Sequence, residues 1–412
     1  AGIRPPGVRV SVMRGTRVLV TDGEQRASLA IIRSLGRSGC RVEVASVSGR
    51  SLAGASRHAR ADHPLPDPLT DPTRFAEGLE ETVRVTGAEI LIPVTEPSLL
   101  AALPHRDAFD CLLPFPDLQR FRRASDKGEV ARLAREVDIA VPDQVEVPGC
   151  DADVELPGNP EASYVLKPSR SVEGGRKLGV SYSRGGSKLR EALAGLPDEA
   201  FPVLVQQRIL GSGAGVFLLV WDGEPRAVFG HRRIREKPPS GGVSVVRESA
   251  LVDSALAESA TRLLRRLQWH GVAMVEFKID GDTGTPFLME INGRFWGSLQ
   301  LAIDAGVDFP RLLVEAATGS GSHPVPSYRP GVRCRWLLGD LDQLLVRLRR
   351  SPEALNLPPG MPGRGRAIAE FVRDFFPPNR LEVLRLRDPQ PFFREVRLWL
   401  QELAGGKTRN QD

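Results

Sequence analysis

Glu290, Asn292 and Arg294 stand two residues apart in the segment from Phe287 to Ser298, FLMEINGRFWGS. Alternate residues of a strand point to one face, so two oxygen donors and one guanidinium would look into the same cleft. That set suits a divalent cation carrying phosphates. Hard cations take carboxylate and amide oxygens, and the planar fork of Arg grips phosphoryl oxygens. An ordinary strand end with polar residues facing water has the same spacing, so the surrounding residues must decide.

The segment is the second arm of a hairpin. Gly271 to Asp280 forms the first arm, residues 281–284 (GDTG) the turn, and Pro286 to Asn292 the second. Glu276 and Glu290 are equidistant from Thr283, and a symmetric hairpin would set them opposite one another with Cβ atoms roughly 5 Å apart. Facing carboxylates are destabilising unless positive charge lies between them, and a divalent metal resolves the repulsion. A register shift or a bulge would instead separate the two.

Cations that could meet phosphates lie elsewhere in the chain. Lys167 stands in an apolar strand and leads into the Ser/Gly-rich stretch 168–177, PSRSVEGGRK. A loop of that kind can fold over phosphates, although it lacks the order of a Walker A loop and a plain hairpin is the bland alternative. The stretch Val203 to Gly211 could present backbone and apolar groups to a planar base. Arg233 and Arg235 would share one face of an extended segment, as cations for an anionic substrate or as a solvated charge run. Glu96 follows a strand's carboxyl end, where ligands of open α/β sheets bind, so it is either a substrate contact or part of a helix cap.

The elements that must position these residues read in order. After a loose arm over residues 1–14, a strand at Arg17 to Thr21, a helix at Gln25 to Ser38 and a strand at Arg41 to Val47 form a strand-helix-strand unit of a parallel sheet. A Pro-rich loop (residues 64–72), a helix near Thr73 to Thr86 and a strand over residues 89–94 repeat it. The expected organisation is a doubly wound domain over 15–120, then an α+β domain over 121–320 containing a small lid of about 140–210. That domain starts with one helix near Ser125 to Val137 and ends in a linker at Thr318 to Ser322. A C-terminal extension over 321–412 carries helical patterns at Asp340 to Arg350 and Phe392 to Leu403. The turn after the first strand holds a single glycine, which argues against a dinucleotide fingerprint there.

Composition narrows the classes. The 412 residues exceed one ordinary core, and a net charge of +5 arises from 56 basic and 51 acidic residues that are interspersed. No nucleic-acid recognition motif accompanies them, so a basic nucleic-acid-binding module is a weak alternative. Apolar runs are short and interrupted, and four scattered cysteines suggest neither a zinc site nor a disulfide framework. The expectation is a cytoplasmic protein with no membrane or nucleic-acid partner.

Taken in order, Ser125-Asp126-Lys127, Lys167-Pro168 with its glycine loop, Gln206 to Gly211, Glu276 and the Glu290 to Arg294 motif resemble the ATP-grasp superfamily. The likeness is greatest to its carboxylate-amine ligase branch and predicted ATP-dependent carboligases, related to carbamoyl phosphate synthetase large chain and biotin carboxylase. A stretch from Gly331 to Trp336 (GVRCRW) adds to it. The resemblance implies a pre-ATP-grasp domain, a lid and a carboxyl lobe.

By that resemblance, Lys127 and Lys167 would hold the α- and β-phosphates, and Ser169 to Gly175, with Gly174, would cover them. Gln206, Gln207 and Ile209 would line the adenine pocket. Glu276, Glu290 and Asn292 would bind one or two Mg2+, with Mn2+ as a substitute, and Arg294 would steady the transferred phosphoryl group, with Lys167 as its catalytic companion. Glu96, Arg233, Arg235 and Ser298 would face small-molecule carboxylate and amine substrates. The implied reaction is ADP-forming amide synthesis through an acyl phosphate, with a bicarbonate-using carboxylase as the alternative and a homodimer as an open option. Relatives often carry an acidic residue near position 214 for the ribose, where this chain reads SGAG over 212–215.

Overall fold

The computed structural model describes residues 13–155, 162–239, 241–319, 327–352, 354–355, 357, 361–377 and 379–404. The arm expected at the start lies outside these up to residue 12, but Met13 is buried and its carbonyl accepts from Thr16 N at 3.3 Å. Residues 320–322 of the expected linker also lie outside them.

A first layer is built from β1 (Arg17–Val20), α1 (Arg26–Arg37), β2 (Arg41–Ser46), β3 (Ala59–Pro64), α2 (Pro72–Thr86), β4 (Ile90–Ile92) and α3 (Glu96–Ala102). Its strands are parallel in the order β3-β2-β1-β4. The apolar residues of β1, β2 and β4 are buried, as a sheet covered on both faces requires. Strand β3 was hidden from the sequence reading because its residues (ARADHP) carry no apolar period.

The helix expected near Ser125 to Val137 is present, and a further one precedes it. α4 (Leu118–Ser125) ends where Asp126 caps α5 (Lys127–Glu136), accepting from Glu129 N at 3.0 Å. A small antiparallel sheet follows, made of β5 (Gln144–Val147), β6 (Ser163–Pro168), β9 (Ser181–Arg184) and β10 (Val203–Gln207) in the order β5-β10-β6-β9. It carries the hairpin of β7 (Val172–Glu173) and β8 (Arg176–Lys177), and α6 (Gly186–Ala194). Tyr164, Leu166, Val203, Val205 and Leu189 give it a core of its own.

The large sheet comprises β11 (Gly211–Trp221), β12 (Glu224–Lys237), β13 (Val243–Ser249), β14 (Gly271–Asp280), β15 (Pro286–Asn292), β16 (Arg333–Arg335) and β17 (Asn379–Leu381). The order is β15-β14-β11-β12-β13-β16-β17. The chain also forms α7 (Ser254–Arg266), α8 (Leu299–Ala305), α9 (Phe309–Ala317), α10 (Leu337–Arg349), α11 (Arg364–Arg373) and α12 (Gln390–Ala404). One continuous core joins this sheet to the first layer. The C-terminal residues are no separate module, since β16 and β17 extend the large sheet. All four cysteines are free, and no helix among the described residues is long and apolar enough to cross a membrane.

Candidate active site

One transverse row of the large sheet carries most of the chemistry. Glu290 pairs with Glu276, Glu276 with Gly215, and Gly215 with His231, across β15, β14, β11 and β12. The expected symmetric hairpin is not the cause. Nearer the turn, Phe277 pairs with Leu288 and Lys278 with Phe287, a register that would bring Met289 opposite Glu276. A bulge between Glu276 and Phe277 admits one extra residue on β15 and brings Glu290 into line.

Beside this row β11 places only the glycines Gly213 and Gly215 on this face. Arg233 on β12 lies over Gly213, its Cδ 3.2 Å from where a Cβ would stand, and reaches Glu276 at 2.7 Å. Gly213 is therefore a crossing point for a guanidinium, a use invisible to a reading that noted only a missing acid near position 214. Asn292 donates to Glu290 Oε1 at 3.1 Å, and Arg294 donates to Asn292 Oδ1 at 3.2 Å. The alternating residues thus act as one connected row.

The opposing wall is cationic. Lys127, at the first residue of α5, sends its Nζ to Ser171 Oγ at 2.7 Å and to within 3.9 Å of Glu290 Oε2. Its backbone N–H donates to Ser169 O, tying α5 to the loop after β6. Lys167 on β6 is enclosed, its Nζ 3.8 Å from Met289 Sδ. Burial pushes its ammonium pKa down, and Glu290 partly restores it. Burial would raise both carboxyls of the row. At Glu290 the charges of Lys127 and Lys167 outweigh it and hold the group below its usual value. At Glu276 burial prevails over Arg233 and, with the Glu290 charge, pushes the group up.

On the lysine side, Lys127, Lys167, Gln206, Leu204, Leu288 and Met289 line a small pocket of about 10 Å³. Gln206 is buried and donates to Gln144 Oε1 at 2.7 Å. Gln207 N donates to Asp143 O at 2.8 Å, and Ile209 sits half-buried in the connection to β11. Gly174 and Gly175 form the β7–β8 turn, with φ of +55° and +72° in the left-handed region that favours glycine. The buried Ser169 Oγ has no partner among the described residues, and its N–H donates to Pro202 O.

The first layer closes the site. Asp22, in the left-handed region at φ +57°, accepts from Val94 N at 3.1 Å, Thr95 N at 3.0 Å, Thr95 Oγ1 at 2.8 Å and Ser98 Oγ at 2.7 Å. Sequence reasoning missed Asp22, although a carboxylate at the carboxyl end of β1 was a signal. By fixing the start of α3, it sets Glu96 within electrostatic reach of Arg294, Lys127 and Glu290. Burial pushes the Glu96 carboxyl up, while Arg294 and Lys127 pull it back.

One expected substrate contact is placed otherwise. Arg235 pairs with Val246, the neighbour of Arg233's partner Arg247, and its guanidinium holds Asp340 at 2.8 Å and Asp374 at 2.6 Å, away from the row. Register shifts on either side of Arg235 turn the strand toward α10. Ser298 is buried at the start of α8 and makes no side-chain capping bond.

No group of three or more His, Cys, Asp or Glu side chains that could hold a metal occurs among the described residues. The donors present are two carboxylates and one amide oxygen. So small a set fits Mg2+, which is bound through one or two carboxylates and takes its remaining ligands from water and phosphate.

A small sheet with its own core thus brings Lys167 close to the carboxylate-bearing edge of the large sheet. Residues 201–339 match the family model described as ATP-grasp in the biosynthetic pathway with Ter operon. The chain has the ATP-grasp fold. No curated protein matches its sequence. The L-amino acid ligase from Bacillus licheniformis is similar in structure, with a TM-score of 0.61, 19% identity and coverage of 77% of this chain and 78% of that one. The ADP complex of PurK, N5-carboxyaminoimidazole ribonucleotide synthetase, superposes with a TM-score of 0.62, 15% identity and coverage of 82% and 85%. The Hydrogenobacter thermophilus 2-oxoglutarate carboxylase biotin carboxylase domain, with MgADP, ADP and bicarbonate, gives 0.58, 16% identity and coverage of 77% and 73%.

Proposed function

We propose that the protein is an ADP-forming ligase that activates a small carboxylate as an acyl phosphate and joins it to an amine. The observation that carries this reading is the connected row of Glu276, Glu290, Asn292 and Arg294, with Lys127 Nζ 3.9 Å from Glu290 and the charge of Lys167 also acting on that carboxylate. Lys127 and Lys167 would neutralise phosphate oxygens, and Glu276, Glu290 and Asn292 would hold the magnesium, which supplies charge neutralisation between the β- and γ-phosphates. Arg294 would steady the phosphoryl group in flight. A carboxylate is a poor electrophile, because oxide is a poor leaving group. Transfer of the γ-phosphoryl group to its oxygen gives ADP and a leaving group the amine can displace. The loop around Gly174 and Gly175 would exclude the water that otherwise hydrolyses the intermediate.

Glu96 is proposed to face the amine. It is a carboxylate at the start of α3 within electrostatic reach of Arg294, Lys127 and Glu290.

The test is to incubate the protein with Mg2+, ATP and pairs of amino acids or small peptides, and separately with bicarbonate. ADP and phosphate should accumulate with the right pair. AMP and pyrophosphate would overturn the mechanism. ATP cleavage that depends on bicarbonate and no other acid would turn the reading to a carboxylase.

A further inference from the structure

The C-terminal segment around Glu382 reaches the loop that carries Arg294. Gly297, three residues after Arg294, is pinched between two guanidinium groups. Arg26 NH2 lies 3.3 Å from where a Cβ on Gly297 would stand, and Arg247 NH2 donates to Gly297 O at 3.5 Å. Both guanidiniums are held by one buried carboxylate. Glu382 Oε2 meets Arg26 at 2.9 Å and Glu382 Oε1 meets Arg247 at 2.5 Å. Arg26 begins α1, just beyond the carboxyl end of β1, and its guanidinium is stacked 3.6 Å from the Trp336 ring. Arg247 lies in β13 and donates to Ser244 O at 2.9 Å.

The segment bearing Glu382 is itself anchored. The buried Arg33 of α1 donates to Val383 O at 2.9 Å and to Asp388 Oδ2 at 2.8 Å, and Ser56 Oγ reaches Asp388 at 2.7 Å. Glu382 N donates to Arg335 O at 2.8 Å, joining it to β16. One carboxylate thus gathers the first layer, the large sheet and the loop after β15 at a single point.

We infer that Glu382 is a positioning residue for phosphoryl transfer, holding Arg26 and Arg247 against Gly297 so that Arg294 points along the Glu290–Asn292 row. The inference rests on the ligase reading for its chemistry but not for its geometry. Misplacement of a reacting group by about 1 Å can cost on the order of 10²-fold in rate, so small shifts of this loop matter. Nucleotide contacts at Lys127, Lys167 and Gln206 lie on other elements and are untouched.

The experiment compares wild type, Glu382→Gln and the paired Arg247→Met/Glu382→Leu variant. The pair removes a buried cation together with its anion, an exchange that is often neutral for stability. Calorimetry with Mg·ADP should give the same affinity for all three. Turnover of ATP with the productive substrates should fall roughly 10²-fold in Glu382→Gln and stay low in the pair, although the pair melts near the wild type. Amide hydrogen exchange in residues 293–298 should rise in both variants, with residues 203–211 unchanged. Unchanged exchange in 293–298, or turnover that returns with the stability of the pair, would overturn the inference. If the wild type forms no ADP with any acid, the ligase reading fails by itself, and the exchange measurement still decides whether Glu382 positions the loop.

Discussion

Glu290 faces Glu276 because β15 gains a residue at Met289, and the same bulge brings the Met289 sulfur to 3.8 Å from Lys167 Nζ. The carboxylate pair and one of its compensating cations are therefore set by a single irregularity in one strand. If the two carboxylates share a metal, Glu276→Gln and Glu290→Gln should each reduce turnover by roughly 10²–10³-fold, the scale of losing one electrostatic contact in an active site. The double variant should be hardly worse than the poorer single one, since groups acting as a unit are not additive. Multiplicative losses in steady-state kinetics would count against a shared ion.

Lys167 presents opposite consequences for binding and stability. Its ammonium is enclosed and its pKa lowered by burial, so the charged form is disfavoured until an anion arrives. Lys167→Met should weaken Mg·ADP binding by about 1.5–3 kcal/mol, the usual worth of a hydrogen bond to a charged group. The nucleotide-free protein should melt no lower than wild type. Titration calorimetry and thermal melting check the two halves, and equal affinity would remove Lys167 from the phosphate site.

Glu96→Gln should separate the two half-reactions. With the productive acid and hydroxylamine, which traps an acyl phosphate without an ammonium to hold, hydroxamate should form at the wild-type rate. Coupling to the natural amine should slow by roughly tenfold or more, the loss of about 1.4 kcal/mol. Equal coupling rates would exclude Glu96 from the amine side.

Arg235 should prove structural. It neutralises Asp340 and Asp374, both almost fully buried, and breaking such a pair from one side costs about 3–5 kcal/mol. Arg235→Met should lower the denaturation midpoint strongly and leave the KM of each substrate unchanged in the fraction that folds. A rise in one KM at intact stability would restore the substrate role expected from its place two residues after Arg233.

Acid should loosen the C-terminal clasp. Burial would raise the Glu382 carboxyl, but Arg247 and Arg26 outweigh it and hold it below its usual value. Arg33, Arg57 N and Ser56 Oγ likewise overcome burial at Asp388. A carboxyl group with a lower pKa in the folded than in the unfolded state stabilises fully above the unfolded pKa and loses that contribution as pH falls through the folded one. Melting temperature should drop below about pH 4.3, the ordinary Glu value, and the Glu382→Gln variant should decline less steeply. Parallel declines would show that Glu382 is not the group responsible.

Several of these relationships were open to the sequence. The 3.6-residue period of α1 and the apolar runs of β1, β2 and β4 announce a covered parallel sheet, since burial on two faces leaves no alternation. The spacing of Glu290, Asn292 and Arg294 announces a shared face, because a strand's side chains repeat every two residues. In the structure these three are joined by hydrogen bonds. Glu276 was paired with Glu290 by counting from Thr283, and the pairing holds through a bulge that no count could reveal. Local pattern is legible where one residue type must recur at a fixed interval.

Only the tertiary structure decided the rest. Arg233 and Arg235 are alike in sequence, yet one crosses Gly213 to Glu276 and the other is taken by Asp340 and Asp374, because partners more than 100 residues further along claim the second. Asp22, Gly297 and Glu382 gain their roles from contacts between segments far apart in the chain, such as Asp22 with Val94 and Glu382 with Arg247. Periodicity names the residues that can do chemistry. The long-range packing of a charged core selects which of them remain free to do it.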